Sequence, residues 1–111
     1  MKRKQNEEIN RGDIYWCCPK GSPYGKRLYV VVSNDAACRH SEVILMCPLT
    51  SQSKRKIPTH ITLYNINNRN ATLMCENIVL INKTDIMDYV MSLGSRDLQR
   101  INTALFIALG L

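Results

Sequence analysis

The chain lacks any apolar stretch approaching the roughly 18 residues that a membrane-spanning helix needs. Its start, Met1-Lys2-Arg3-Lys4-Gln5-Asn6-Glu7-Glu8, is charged with no apolar segment behind it, so neither a membrane segment nor export is expected. Its five cysteines (Cys17, Cys18, Cys38, Cys47, Cys75) are odd in number and follow no repeating spacing. That argues against a secreted disulfide framework and for the reducing cytoplasm, with the thiols serving as small hydrophobes. Cys38-Arg39-His40 finds no second pair at a zinc-finger spacing, so no metal or other cofactor is expected. The two histidines, His40 in a turn and His60 at a strand start, belong to no local Ser, His and Asp arrangement, and histidine catalysis is not indicated. Internal repeats and low-complexity tracts are absent.

What is present fits one small domain. The 111 residues suffice to bury a core but not to add a separate cofactor domain. Lys and Arg outnumber Asp and Glu by 15 to 9, a net charge of +6, and a polyanion such as nucleic acid is the first partner to consider. Residues 1–10 read as a flexible lead-in and residues 11–111 as the folded domain. Arg11-Gly12-Asp13 marks the turn before a first strand, Asp13-Ile14-Tyr15-Trp16-Cys17-Cys18. A loop rich in Pro, Gly and Ser follows over residues 19–26. Leu28-Tyr29-Val30-Val31-Val32 and Val43-Ile44-Leu45-Met46-Cys47 are continuous apolar runs, the pattern of central strands covered on both faces. Thr59-His60-Ile61-Thr62-Leu63-Tyr64 alternates as a half-buried strand does, and residues 65–70 form a break rich in Asn. Residues 72–81 read as one strand interrupted by Glu76. A short helix or turn over residues 83–87 and a brief strand over 88–93 follow. A last amphipathic helix has Ser95 as N-cap and Leu98, Ile101, Leu105, Ala108 and Leu109 on its apolar stripe. The expected fold is mostly β with α: a small barrel of antiparallel strands with a C-terminal helix.

The chemistry-bearing residues gather at strand ends. Arg27 stands just before a buried strand, where its planar fork of donors suits a phosphate. Thr50 closes the next strand, where a hydroxyl can meet a phosphate oxygen. The basic stretch Lys54-Arg55-Lys56 follows closely. Glu76 reads as an acid or base, as a partner that holds Arg27, or as a charge at an exposed strand position; the partner role is preferred, because a buried carboxylate without a cation is costly.

In order, Arg11-Gly12-Asp13-Ile14-Tyr15-Trp16, Arg27 with the run to Asp35, Arg39-His40-Ser41, Pro48-Leu49-Thr50-Ser51-Gln52, Pro58-Thr59-His60, Cys75-Glu76-Asn77-Ile78 and the closing Ala108-Leu109-Gly110-Leu111 resemble the MazF/PemK family. These are toxins of type II toxin–antitoxin modules. The resemblance implies an SH3-like (CcdB/MazF-like) barrel, generally a homodimer. It also implies a metal-independent, sequence-selective endoribonuclease that cleaves single-stranded RNA by attack of the 2′-hydroxyl on the adjacent phosphate. Arg27 and Thr50 fall on the family's catalytic positions; Ser22, Ser51, Gln52, Lys56 and Asn77 are candidate RNA contacts, with Glu76 in support. The implied protein partner is an antitoxin with an acidic, disordered tail. The chain departs from the family at Leu28 (usually proline), Asn77 (usually glutamine) and Val79 (usually arginine). Two alternatives stand beside this reading: a non-enzymatic, CcdB-like inhibitor of a protein target such as a topoisomerase, and an inactive RNA-binding relative.

Overall fold

Alternation inside the apolar runs decides the architecture, because each run sends successive side chains to two different cores. The computed structural model describes residues 8–52 and 55–111. In β1 (Asp13–Cys17), β2 (Arg27–Val31) and β3 (Val43–Thr50), the side chains of Ile14, Val30, Cys47 and Leu49 enter one apolar cluster, and those of Tyr15, Cys17, Tyr29, Val31, Ile44 and Met46 enter a second. A period of two with both phases buried is what a run such as Leu28-Tyr29-Val30-Val31-Val32 encodes.

A short helix α1 (Asp35–His40) joins β2 to β3, and β4 (His60–Ile66), β5 (Arg69–Met74), β6 (Val79–Asn82), a single 3₁₀ turn (Lys83–Asp85), β7 (Ile86–Ser92) and α2 (Ser95–Ala108) complete the chain. All pairings are antiparallel, in the order β4-β5-β3-β2-β1-β7, with β6 also against β3. The sheet curls into a half-barrel, and α2 lies over it, as the fold class expected from sequence requires. Ile101 and Ala104 enter the first cluster, with Leu98 and Leu105 packed beside them. Arg100 donates from Nη2 to the Thr62 carbonyl on β4 (3.0 Å). Gly12 lets α2 come this close: its φ is +91°, and a Cβ there would stand 2.7 Å from Leu98 Cδ2. Asp13, 1% exposed, is satisfied by the Ser92 hydroxyl (2.6 Å) and the Asn10 N–H (2.9 Å).

Several expectations are corrected. Residues 72–81 are not one strand: β5 ends at Met74 and β6 begins at Val79, because β5 pairs with the end of β3 at Leu49 and Thr50 while β6 pairs with its beginning, from Val43 to Met46. Glu76 therefore sits in the turn between them, exposed. The segment after β2 forms α1, with Asn34 as N-cap accepting from the Ala37 N–H, so His40 ends a helix. Residues 1–7 of the expected lead-in lie outside the described residues. Ile9, however, is 5% exposed within the second cluster, and Arg39 ties this stretch to α1 through the Ile9 carbonyl (2.9 Å) and Asn10 Oδ1 (2.7 Å). Gly94, not Ser95, is the N-cap of α2; Leu109 lies past its end and is exposed. Finally, Val43 and Leu45 face outward on β3, and Leu45 is paired with the exposed Leu80 of β6. The first cluster reaches only the far half of β3, so this half of the apolar run is covered on one face.

Candidate active site

The β2–β3 ladder pairs Tyr29 with Pro48, Val30 with Cys47 and Val31 with Met46. Carried two residues further in the same register, it brings Arg27 opposite Thr50. Both then share a face with Tyr29 and Pro48, since side chains two apart on a strand point the same way. This face is the mouth of the second cluster, and it opens into a cleft of about 870 Å³ lined by Arg27, Tyr29, Pro48, Thr50, the loop from Pro19 to Tyr24, and the turn carrying Glu76 and Asn77.

Arg27 is held from two sides. It donates from Nη2 to the Leu49 carbonyl (3.4 Å), and its guanidinium lies over the Tyr24 ring, 4.8 Å from the centroid. Because β2 begins at Arg27 and the next residue, Leu28, is paired with Trp16, the ladder itself fixes the backbone beside Arg27. The Thr50 hydroxyl oxygen accepts from the Gln52 N–H (3.2 Å), which leaves its proton to give to an incoming oxygen. Burial pushes the Tyr29 phenol above its ordinary value, with Arg27 and Ser22 working against that rise.

Of the other residues singled out from sequence, Ser22, Gln52, Glu76 and Asn77 line the same cleft. Ser51 and Lys56 do not; with Gln52, Arg55 and His60 they line an adjoining groove of about 290 Å³. Lys54 lies outside the described residues. A third hollow of about 640 Å³, on the Trp16 side, shares Arg27 and Thr50 as a wall. Single-stranded polymer laid across Thr50 thus meets recesses in more than one direction.

The expected pairing of Glu76 with Arg27 is not formed. Glu76 Oε2 is bonded instead to His60 Nε2 at 2.6 Å. Burial works to raise the Glu76 carboxyl, but backbone N–H bonding, His60 and Thr59 outweigh it, and the group lies below its ordinary value. The sequence placed His60 at a strand start and in the block Pro58-Thr59-His60, without a partner; that partner is 16 positions away, and the β4–β5 pairing of His60 with Met74 brings the two together. Cys47 and Cys75 lie side by side in the core; the hydrogen bond between their thiols and burial push Cys47 up. All five cysteines are free and all but Cys18 are buried. Among the described residues, no three or more His, Cys, Asp or Glu side chains cluster in a way that would hold a metal ion, and no helix is long and apolar enough to cross a membrane.

A curled antiparallel half-barrel with a basic strand-end cleft and a capping helix defines the class, and the comparisons specify it. Residues 10–109 match the family described as PemK-like, MazF-like toxin of type II toxin-antitoxin system. The chain is 32% identical over 101 residues to Endoribonuclease MazF1 of Mycobacterium bovis, covering 91% of this chain and 92% of that one. It is 30% identical over 112 residues to Endoribonuclease EndoA of Bacillus subtilis, covering 93% and 96%. A mycobacterial endoribonuclease solved in complex with its cognate antitoxin superposes with a TM-score of 0.80 at 30% identity, covering 93% of this chain and 96% of that one. The chain belongs to the PemK-like, MazF-like toxin family.

Proposed function

We propose that this protein is the toxin of a type II toxin–antitoxin pair and acts as a sequence-selective endoribonuclease on single-stranded RNA, without a metal. The observation that carries the reading is the shared face of Arg27 and Thr50 at the head of one cleft. The Arg27 guanidinium neutralises charge on the scissile phosphate as the adjacent 2′-hydroxyl attacks, and Thr50 donates to a non-bridging oxygen. The products are a 2′,3′-cyclic phosphate and a free 5′-hydroxyl. Fixed donors of this kind act most strongly on charge that develops in the transition state. Ser22, Gln52 and Asn77 contact the splayed nucleotides in the cleft, and Ser51 and Lys56 contact the strand as it leaves through the adjoining groove.

The net charge of +6 suits both the RNA and an antitoxin whose acidic, disordered tail lies across the same basic groove. A second copy of the chain covers the outward face of Val43, Leu45 and Leu80, giving a homodimer. The cytoplasm, where RNA and free thiols coexist, is its place.

Incubation of the purified protein with mixed-sequence RNA in excess chelator tests this reading: short products with cyclic-phosphate ends support it, and intact RNA refutes it. One observation favours a second reading, binding of a protein target without catalysis: the end of α2 exposes Phe106, Leu109 and Leu111. Thr50→Ala separates the two. Toxicity that survives this substitution unchanged supports the non-enzymatic reading, and toxicity lost together with cleavage excludes it.

A further inference from the structure

We infer that His60 is a positioning residue for nucleotide selection: acting through Glu76, it fixes the turn that presents the Asn77 amide to the cleft, and at the same time it ties down the Arg55 end of the basic loop. The inference rests on the ribonuclease reading above and adds a residue and a device to it.

The turn needs such a tie. Between Met74 and Val79 the chain leaves one pairing of β3 for another; Cys75 and Ile78 pack on the first cluster, while Glu76 and Asn77 between them are exposed, the Asn77 amide making only a long contact to Met74 Sδ (4.0 Å). The Asn77 N–H closes the turn on the Met74 carbonyl (3.1 Å), and the Cys75 N–H bonds the Thr59 carbonyl (2.9 Å). These bonds fix where the turn starts, not where its tip stands. At the tip the Glu76 carboxylate is held by Thr59 and by His60, whose side chain is only 11% exposed and whose Nε2 meets Glu76 Oε2 at 2.6 Å. The opposite nitrogen, Nδ1, lies 2.8 Å from the Arg55 carbonyl. A carbonyl can only accept, so Nδ1 donates to Arg55, while Nε2 and the Glu76 carboxyl share the second hydrogen bond. The ring is thus a side-chain rivet between the turn and the Arg55 end of the loop, added to the backbone bond from Cys75 to Thr59.

Its place gives the rivet a function. Glu76 and Asn77 line the catalytic cleft, His60 and Lys56 line the adjoining groove, and Gln52 lines both. Asn77 has a short side chain, so the reach of its amide depends on where the turn stands. A base read by hydrogen bonds is discriminated only while the reading group is held in place, and a displacement of about 1 Å is enough to lose it. Arg55 and Lys56 line the groove with His60; their cationic side chains offer no acceptor, so the Glu76 carboxylate is the side-chain partner of the ring.

The test begins by mapping the preferred cleavage sequence with the wild-type protein. Cleavage of that sequence and of single-nucleotide variants is then measured for His60→Ala, Glu76→Ala and the double substitution. Each single substitution is expected to lower discrimination at one nucleotide about tenfold, the equivalent of one charge-assisted hydrogen bond. The loss should fall on KM, with kcat kept within about threefold. The double variant should be no worse than either single one, since both remove the same tie. Glu76→Gln, which keeps an acceptor oxygen, should fall between wild type and Glu76→Ala. Glu76 stands at an exposed turn position, so its variants keep the test open if His60→Ala does not fold. Discrimination unchanged within about twofold in folded Glu76→Ala, or losses that multiply in the double variant, overturn the inference. Wild-type protein that cuts no RNA at all overturns the ribonuclease reading beneath it instead.

Discussion

Replacing Arg27 separates structural from chemical roles, because the two effects differ by a large factor. In the folded chain Arg27 makes a cation–π contact with Tyr24 at 4.8 Å and a long N–H bond to the Leu49 carbonyl at 3.4 Å. At a partly exposed strand end the first is worth about 0.5–1 kcal/mol and the second about 0.5 kcal/mol. Arg27→Ala should therefore cost about 1–1.5 kcal/mol of stability and lower Tm by roughly 4–10 °C. On the proposed function, its chemical cost should be larger. A fixed donor aimed at developing transition-state charge is worth on the order of 10²–10³ in kcat. Arg27→Lys keeps the charge but loses the planar fork, and should fall between, at about 10- to 100-fold. The assay is single-turnover cleavage of a fluorophore–quencher oligoribonucleotide carrying the mapped sequence, in excess chelator and well below the variants' melting temperatures. A kcat for Arg27→Ala within about threefold of wild type, or a loss no larger than the unfolded fraction explains, refutes the role given to the guanidinium.

The remaining predictions concern acid stability and assembly. Glu76 lies below its ordinary carboxyl value of 4.5 in the folded chain, so its ionisation contributes stability that is present above that value and is lost as pH falls through the lower, folded one. With 37% of the side chain exposed, the contribution is small after solvent screening, at most about 0.5–1 kcal/mol. Urea midpoints of wild type and Glu76→Gln should therefore differ at pH 6 and converge as the pH falls through the lowered folded value; a gap that widens on acidification contradicts the sign. Leu80, 65% exposed and paired with Leu45 on an apolar face, should be covered in a homodimer, so Leu80→Asp should shift sedimentation from dimer to monomer while leaving the far-ultraviolet circular dichroism intact. An unchanged dimer would place the interface elsewhere.

Local pattern made much of this protein legible before any coordinates. The two-residue period of the β2 and β3 runs, the break rich in Asn at residues 65–70 and the apolar stripe of α2 are properties of neighbouring residues, and they became the strands, the hairpin and the helix. Asn67 and Asn68 adopt positive φ, +52° and +66°, as a tight hairpin requires. The placing of Arg27 and Thr50 in one cleft follows from a related reason: Arg27 opens one apolar run and Thr50 closes the next, and antiparallel register puts that start and that end side by side. What only the tertiary structure decided was coverage and long-range partnership. Whether Val43 and Leu45 are covered depends on how far the neighbouring elements reach, which no stretch of β3 encodes. The split of residues 72–81 into two strands follows from β3 offering different lengths of its edge to each. Glu76 took His60 in place of Arg27 because pairing β4 to β5 brings the imidazole to the turn. Hydrogen bonds and burial are settled by distance in space, and residues 16 positions apart become neighbours only after the sheet has formed.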